Sequence, residues 1–145
     1  MSDVVPLITL SEFARQHLRI SYAGHDLDRV RVLREIRMGH RDAQSVSDAG
    51  PHLINSAEVL GTPAQWSCPL CAKEKVRIIH WIHGVGLGEK SGTARSVKEI
   101  PSVVDAFVDA AVDSEQEMSI HSVEVCLNCK WNYLLREDNL LVHDS

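Results

Sequence analysis

The sequence has few aromatic residues, no long apolar run and only four cysteines. Tryptophan, tyrosine and phenylalanine together make up 5% of the 145 residues, which argues against a base-stacking surface for nucleic acid. No run of 18 apolar residues is present, so a membrane-spanning helix is not expected. No repeat or low-complexity segment occurs either. With 44% hydrophobic residues and a net charge of -5, the chain is typical of a soluble protein of one domain, with or without a helical extension.

The motifs of several enzyme classes are also missing. The run Gly-Val-Gly-Leu-Gly-Glu-Lys that begins at Gly84 lacks the spacing and the Lys-Ser/Thr end of a phosphate-binding loop. No Gly-x-Ser-x-Gly nucleophile elbow is present. His80 and His83 point to opposite faces of a regular strand, and the other histidines are scattered. We therefore expect neither an enzyme nor a second metal site.

What the chain does contain is two Cys-x-x-Cys pairs that use every cysteine. The first is Cys68 with Cys71, and the second is Cys126 with Cys129. Two such turns supply the four thiolates of a closed tetrahedral site, so the pattern predicts one bound Zn²⁺. Iron in a rubredoxin-like site is the alternative, because the same four thiolates would hold it. A filled four-thiolate site leaves no open position to activate water, which also favours a non-enzymatic protein.

The N-terminal segment and the cysteines together predict the cellular compartment of the protein. No apolar N-terminal segment precedes a small-residue cleavage site, so we expect the protein in the cytoplasm. Thiols stay reduced there, and disulfide bonds are the weaker interpretation of the four cysteines.

Capping and periodicity predict an all-helical segment over residues 1–61. Thr9 and Glu12 form a capping box, with Ile8 and Phe13 as its hydrophobic staple. A second helix follows Asp26 and ends before Gly39, which is placed for a left-handed C-cap. Its apolar stripe is Leu27, Val30, Leu33 and Ile36. Two shorter helices are predicted over 42–49 and 51–60.

Residues 62–145 are predicted to form a zinc-ribbon domain with a helical insertion. Three strands are expected, over residues 76–83, 118–125 and 131–135. Both faces of the first strand are apolar. A change in apolar register along 118–125 indicates either a bulge or burial of the strand on both faces. Between the first and second of these strands, a capping box of Ser96 and Glu99 begins an amphipathic helix over about 96–112. The predicted class is α+β: an N-terminal helical segment, then a zinc-ribbon-like antiparallel sheet with an inserted amphipathic helix.

Three parts of the chain carry a family resemblance. They are Cys-Pro-Leu-Cys at 68–71, Val-Glu-Val-Cys-Leu-Asn-Cys-Lys-Trp-Asn at 123–132, and the arginine-rich helix that precedes them. Over about residues 25–137 the chain resembles a small actinobacterial zinc-ribbon family catalogued as a domain of unknown function. The resemblance implies the fold and the four thiolate positions rather than an activity. This chain has Ala72 and Lys130 where glycine commonly follows the second cysteine of such a turn.

The charges are unevenly distributed, and this suggests partner surfaces. Residues 12–41 hold seven arginines and four acids, whereas residues 98–124 hold one lysine and seven acids. A solvated surface is the ordinary explanation of such a run, and a docking surface is the alternative. The candidate partner-binding residues are Arg29, Arg31, Arg34 and Arg37, the acidic ridge Asp105, Asp109 and Asp113, and Trp131. Trp131 has a second interpretation as an apolar cover over the sulfurs.

These features favour a non-enzymatic adaptor that binds another protein. Zinc ribbons recur in transcription machinery, so RNA polymerase or its sigma factor is the expected partner, by analogy of fold. Direct nucleic-acid binding through the arginines is the first alternative, and the acidic net charge argues against it. The other alternative is a rubredoxin-like iron electron carrier.

Overall fold

The computed structural model describes residues 10–84, 93–111 and 116–142. Within them, the helices are α1 (Glu12–His17), α2 (Asp26–Arg37), α3 (Pro51–Leu60) and α4 (Ile100–Ala111), and a 3₁₀ helix spans Ala43–Val46. The strands are β1 (Leu18–Gly24), β2 (Thr62–Ser67), β3 (Lys75–Gly84), β4 (Thr93–Arg95), β5 (Glu117–Val125) and β6 (Asn132–Val142). The predicted α+β class is confirmed. None of the described helices is both long enough and apolar enough to cross a membrane.

The described strands form one antiparallel sheet in the order β1-β6-β5-β3-β2. The short strand β4 pairs with β3 along the same edge as β2, opposite residues 80–82. Strands β5 and β6 shift register between Ser122 and Val123. The extra residue is Leu135 on β6, because Ser122 pairs with Arg136 and Val123 pairs with Leu134, so the bulge lies on β6 and not within 118–125 as predicted. The change in apolar pattern along β5 instead reflects burial on both faces, since Met118 and Ile120 belong to one core cluster and Val123 and Val125 belong to another.

Helices cover both faces of the sheet. On one face, Ile82, Met118 and Leu140 pack against α4 and α1. On the opposite face, Ile79 and Val125 pack against α3. Because alternate residues of β3 are buried on opposite faces, the prediction of a strand covered on both sides is confirmed.

The inserted helix is also confirmed. The backbone N–H and the hydroxyl of Ser96 both donate to the Glu99 carboxylate, just before α4 begins. The apolar side of α4 is buried against the sheet as its periodicity predicts. Val112, the predicted end of this helix, lies outside the described residues, as do Gly86, Gly88 and Gly92 of the glycine-rich run.

The prediction of an all-helical segment over 1–61 is wrong for residues 18–24, which form β1. This strand pairs with β6 along its whole length, from Leu18 opposite Val142 to Gly24 opposite Arg136. The physical reason is that β6 continues well past its predicted end at 135 and offers an edge of hydrogen-bonding groups. Ile20 and Tyr22 favour strand at that edge. The division into domains 1–61 and 62–145 stays a prediction.

Two smaller expectations about the N-terminal region also change. Ser11 caps α1, since its hydroxyl accepts a hydrogen bond from the Ala14 N–H. Thr9 and Ile8 of the predicted capping box and staple lie outside the described residues. The helix expected over 42–49 is a single 3₁₀ turn.

Helix α2 has its predicted bounds, and Gly39 adopts the left-handed conformation with φ +77°. Its apolar stripe, however, is buried only at Leu33 and partly buried at Ile36. Leu27 is 88% exposed and Val30 is 44% exposed, whereas Val32 and Leu33 are buried. The helix therefore presents apolar side chains to solvent on one side.

Candidate metal centre

Sheet topology brings the two Cys-x-x-Cys turns together. The first turn joins β2 to β3 and the second joins β5 to β6. Because β3 and β5 are antiparallel neighbours, with Arg77 opposite Val125, both turns lie at the same end of the sheet. The long insertion between the pairs therefore does not separate the cysteines in space.

The four sulfurs form a compact cluster. All four Sγ atoms lie within 4.8 Å of one another. The Sγ atoms of Cys68 and Cys129 are 3.6 Å apart, as are those of Cys71 and Cys126. In the described parts of the chain, no other set of three histidine, cysteine or acidic side chains converges as closely.

These separations fit a tetrahedral metal ion. With metal–sulfur bonds of about 2.3 Å, a regular tetrahedron has sulfur–sulfur edges of about 3.8 Å. Cys68 and Cys126 are buried, while Cys71 and Cys129 are partly exposed. The donor set is compatible with a metal-binding domain and suits Zn²⁺ or iron, both of which bind thiolates in this geometry.

The two turns have matching backbone hydrogen bonds. The Ala72 N–H donates to the Cys68 carbonyl at 3.0 Å, and the Lys130 N–H donates to the Cys126 carbonyl at the same distance. Both Ala72 (φ 55°) and Lys130 (φ 72°) are left-handed, and among the described residues they alone combine a side chain with positive φ. The two positions where glycine is common are thus strained here, but the turn geometry is kept.

Hydrogen bonds to sulfur prepare the site for thiolates. The Leu70 N–H donates to Cys68 Sγ and the Cys129 N–H donates to Cys126 Sγ, both at 3.4 Å. The side-chain amide of Asn128 donates to Cys71 Sγ at 3.5 Å across the two turns. Such donors stabilise the charged form of sulfur.

Burial and hydrogen bonding act in opposite directions on the four thiols. Burial raises the pKa of Cys68, Cys126 and Cys129 above that of a free thiol. Burial also opposes ionisation of Cys71, but hydrogen bonds from the Lys73 backbone, Asn128 and the neighbouring thiols lower its pKa to about 7. Cys71 is therefore the thiol that ionises first as an ion approaches.

Trp131 lies under the second turn and is completely buried. Its ring stacks on Tyr133, with the planes 9° apart and the centroids separated by 5.7 Å. Its carbonyl accepts a hydrogen bond from the Cys126 N–H at 2.8 Å. The interpretation as an apolar cover beside the sulfurs fits this burial, whereas the expectation of an exposed contact residue is wrong.

The arginines of α2 have different surroundings from one another. Arg29 forms an ion pair with the buried carboxylate of Glu124, and Arg31 pairs with Asp28 and Glu35. Arg34 and Arg37 are exposed to solvent. Of the four candidate cations, Arg34 and Arg37 are the two without an ion pair to a described residue, and Arg37 donates a hydrogen bond to the Leu33 carbonyl at 3.4 Å.

One residue of the acidic ridge on α4 has a hydrogen-bond partner within the chain. Asp105 accepts a hydrogen bond from the Ser11 hydroxyl at 2.5 Å, which links α4 to α1. Asp109 is exposed. Asp113 lies outside the described residues. The ridge thus stabilises the packing of α1 as well as facing solvent.

Sequence reasoning missed the residues that fasten α2 to the metal end of the sheet. Glu124 lies on β5 at a position where a buried carboxylate is not expected, and Trp66 lies on β2, a strand that the sequence pattern does not predict. The Trp66 indole N–H donates to Glu124 at 2.9 Å. Tyr133 donates its hydroxyl to Asp28. The signal in the sequence that could have indicated this buried carboxylate is a glutamate between two valines directly before a cysteine turn.

A cleft of about 440 Å³ opens between α2 and the first cysteine turn. Arg29 and Val30 line it from α2, and Trp66 and Pro69 line it from the opposite side. Asp26, Ser67 and Leu135 complete the walls. The cleft is thus built directly against the candidate metal centre.

Comparison with known proteins identifies the family. Residues 15–144 match a family of unknown function (DUF5318). The chain belongs to this family. An uncharacterized protein of Mycobacterium tuberculosis is 34% identical over 112 residues, which cover 77% of this chain and 76% of that protein. An uncharacterized protein of Mycobacterium bovis matches to the same extent. The predicted actinobacterial family of unknown function is confirmed, and no solved structure matches significantly.

Proposed function

We propose that the protein is a zinc-stabilised, non-enzymatic adaptor that binds a protein partner through α2 and the adjoining cleft. The observation that carries the proposal is the cleft between α2 and the first cysteine turn, together with the exposed side chain of Leu27 on the same helix. Its volume suits one or two anchoring side chains of a partner. The metal centre acts as a rigid wall of this cleft.

Zinc is the proposed ion because four thiolates and no open position make a structural site. Metal content of protein purified from its native host tests this directly. About one zinc per chain in a colourless protein supports the proposal. One iron per chain, with visible absorption that bleaches on reduction, supports the rubredoxin-like electron carrier instead.

RNA polymerase, or its sigma factor, is the proposed partner. This choice rests on analogy with zinc ribbons of the transcription machinery, and the family relationship does not assign a partner. Arg34 and Arg37 lie near the exposed apolar side of α2 and would complement an acidic partner surface.

Direct nucleic-acid binding is less well supported. Two of the four candidate arginines, Arg29 and Arg31, already pair with carboxylates of the same chain. Arg41 likewise pairs with Glu35 at 2.8 Å. Within the arginine-rich segment 29–41, which is fully described, only Arg34 and Arg37 then remain to release counterions from a phosphate backbone.

The experiment is a binding measurement with purified core polymerase, sigma factor and holoenzyme of the source organism. Leu27→Asp removes an exposed apolar contact on α2, and Val59→Asp on α3 is the matched control, since Val59 is 79% exposed. We expect Leu27→Asp to weaken binding at least about tenfold and Val59→Asp to leave it within about twofold. Absence of micromolar binding to all three targets would exclude this partner class. Equal effects of the two variants would exclude α2 as the docking surface.

A further inference from the structure

A second group of metal-ligating side chains lies on the part of the sheet face that α3 does not cover. Glu137 on β6 stands opposite His121 on β5, and His25 follows directly after β1. Nε2 of His25 is 3.0 Å from one carboxylate oxygen of Glu137, and Nε2 of His121 is 3.4 Å from the other. Two imidazoles from separate parts of the chain therefore converge on one carboxylate.

His83 on β3 brings a third imidazole to the same place. Its ring lies against that of His121, with the centroids 4.7 Å apart. His80 faces the other way, where its Nδ1 is 3.0 Å from the Ser122 hydroxyl in the core. The predicted separation of His80 from His83 is therefore confirmed, but His83 acquires a neighbour from another strand.

We propose that His25, His121 and Glu137 form a second site for a divalent transition-metal ion, with His83 beside it. Two imidazoles and a carboxylate suit Zn²⁺, Co²⁺ or Ni²⁺, and three protein ligands leave a coordination position open to water. The side chains of these three residues are 29% to 33% exposed, so an ion can reach them from solvent. The site differs from the cysteine cluster in both donor type and accessibility.

The site is looser than the cysteine cluster. The two imidazoles approach opposite oxygens of the carboxylate, and binding of an ion draws the rings together around one centre. We therefore expect weaker and more readily reversible binding than at the four thiolates, whose sulfurs already stand at tetrahedral separations. The sequence alone indicated no second site because its ligands come from β5, β6 and the end of β1.

The test is a titration of untagged, full-length protein whose cysteine cluster is already filled with zinc. Isothermal calorimetry with added Zn²⁺ at pH 7.5 is expected to show a second equivalent. Glu137→Gln and His121→Asn should each weaken it at least about tenfold, since even loss of a supporting group costs that much. His52→Asn is the matched control, because His52 packs edge-on against Trp81 on the same side of the sheet.

A second equivalent that is weakened by the two site variants and unchanged by His52→Asn supports the proposal. Titration with Co²⁺ should then show weak d–d bands without new sulfur-to-metal charge transfer. Absence of a second equivalent overturns the proposal, and so does equal weakening by His52→Asn. If a strand variant fails to fold, His25→Asn, which changes a residue outside the strands, decides the matter by the same criterion.

Discussion

The carboxylate of Glu124, which has no exposed surface, is held by the guanidinium of Arg29. The pair links α2 to β5 directly beside the second cysteine turn. The Trp66 indole adds a second donor to the same carboxylate. One buried acid thus fixes the position of the helix that forms one wall of the cleft.

Replacing Arg29 with methionine should destabilise the protein by about 3–5 kcal/mol, because it leaves the Glu124 charge buried without its cation. Urea denaturation monitored by circular dichroism measures this. The double variant Arg29→Met/Glu124→Leu should recover most of the loss, since no buried charge remains. Arg34→Met, at an exposed position of the same helix, should stay within about 0.5 kcal/mol of wild type. A loss of under 1 kcal/mol for Arg29→Met would show that the ion pair does not hold α2.

Removing one thiolate should abolish metal binding and folding of the sheet end together. We expect Cys68→Ser and Cys129→Ser each to reduce the bound metal to well below one per chain and to broaden or remove the thermal transition, because metal ligation and folding are coupled. Inductively coupled plasma mass spectrometry and calorimetry provide the two measurements. Ser67→Ala, next to the cluster and exposed, is the control. Native metal content and stability in Cys68→Ser would contradict the four-thiolate site.

Metal binding should be strongly dependent on pH. Three of the thiols have raised pKa values and are protonated at pH 7, while Cys71, with a pKa of about 7, is half ionised. Binding of one ion at pH 7 should therefore release about 3.5 protons, and affinity should fall by roughly 10³- to 10⁴-fold for each unit of acidification. Calorimetry in buffers of different ionisation enthalpy counts the protons. A release of fewer than two would mean that the ion does not engage all four sulfurs.

Glycine at the two strained turn positions should stabilise the protein. Ala72→Gly and Lys130→Gly each relieve a left-handed residue that carries a side chain, and we expect a net gain of about 0.5–1 kcal/mol after the entropy cost of glycine. Lys73→Gly is the control, because it adds the same backbone freedom at a position without positive φ. Thermal unfolding of metal-loaded protein distinguishes them. A loss of stability in both turn variants, equal to that of Lys73→Gly, would contradict the strain.

The local features were predictable because they depend on neighbours in sequence. The bounds of α2, the left-handed Gly39 and the apolar face of α4 all follow from periodicity and capping. The four sulfurs were identifiable as one site because identical Cys-x-x-Cys spacing leaves little else for them to do. The two Cys-x-x-Cys pairs are far apart in the sequence, but the pairing of β3 with β5 brings them to the same end of the sheet.

Amino-acid order alone thus determined which four cysteines form the candidate metal centre, the α+β class and most helices. Tertiary structure decided that residues 18–24 are a strand, because the extended β6 supplies the hydrogen-bonding edge with which they pair along their whole length. It also decided that Arg29 pairs with Glu124 of the same chain and not with an acidic group of a partner protein. It likewise decided that His25 and His121 converge on Glu137. His25 and Glu137 are 112 positions apart in the sequence, and Arg29 and Glu124 are 95 positions apart. No periodicity within a single segment encodes such contacts.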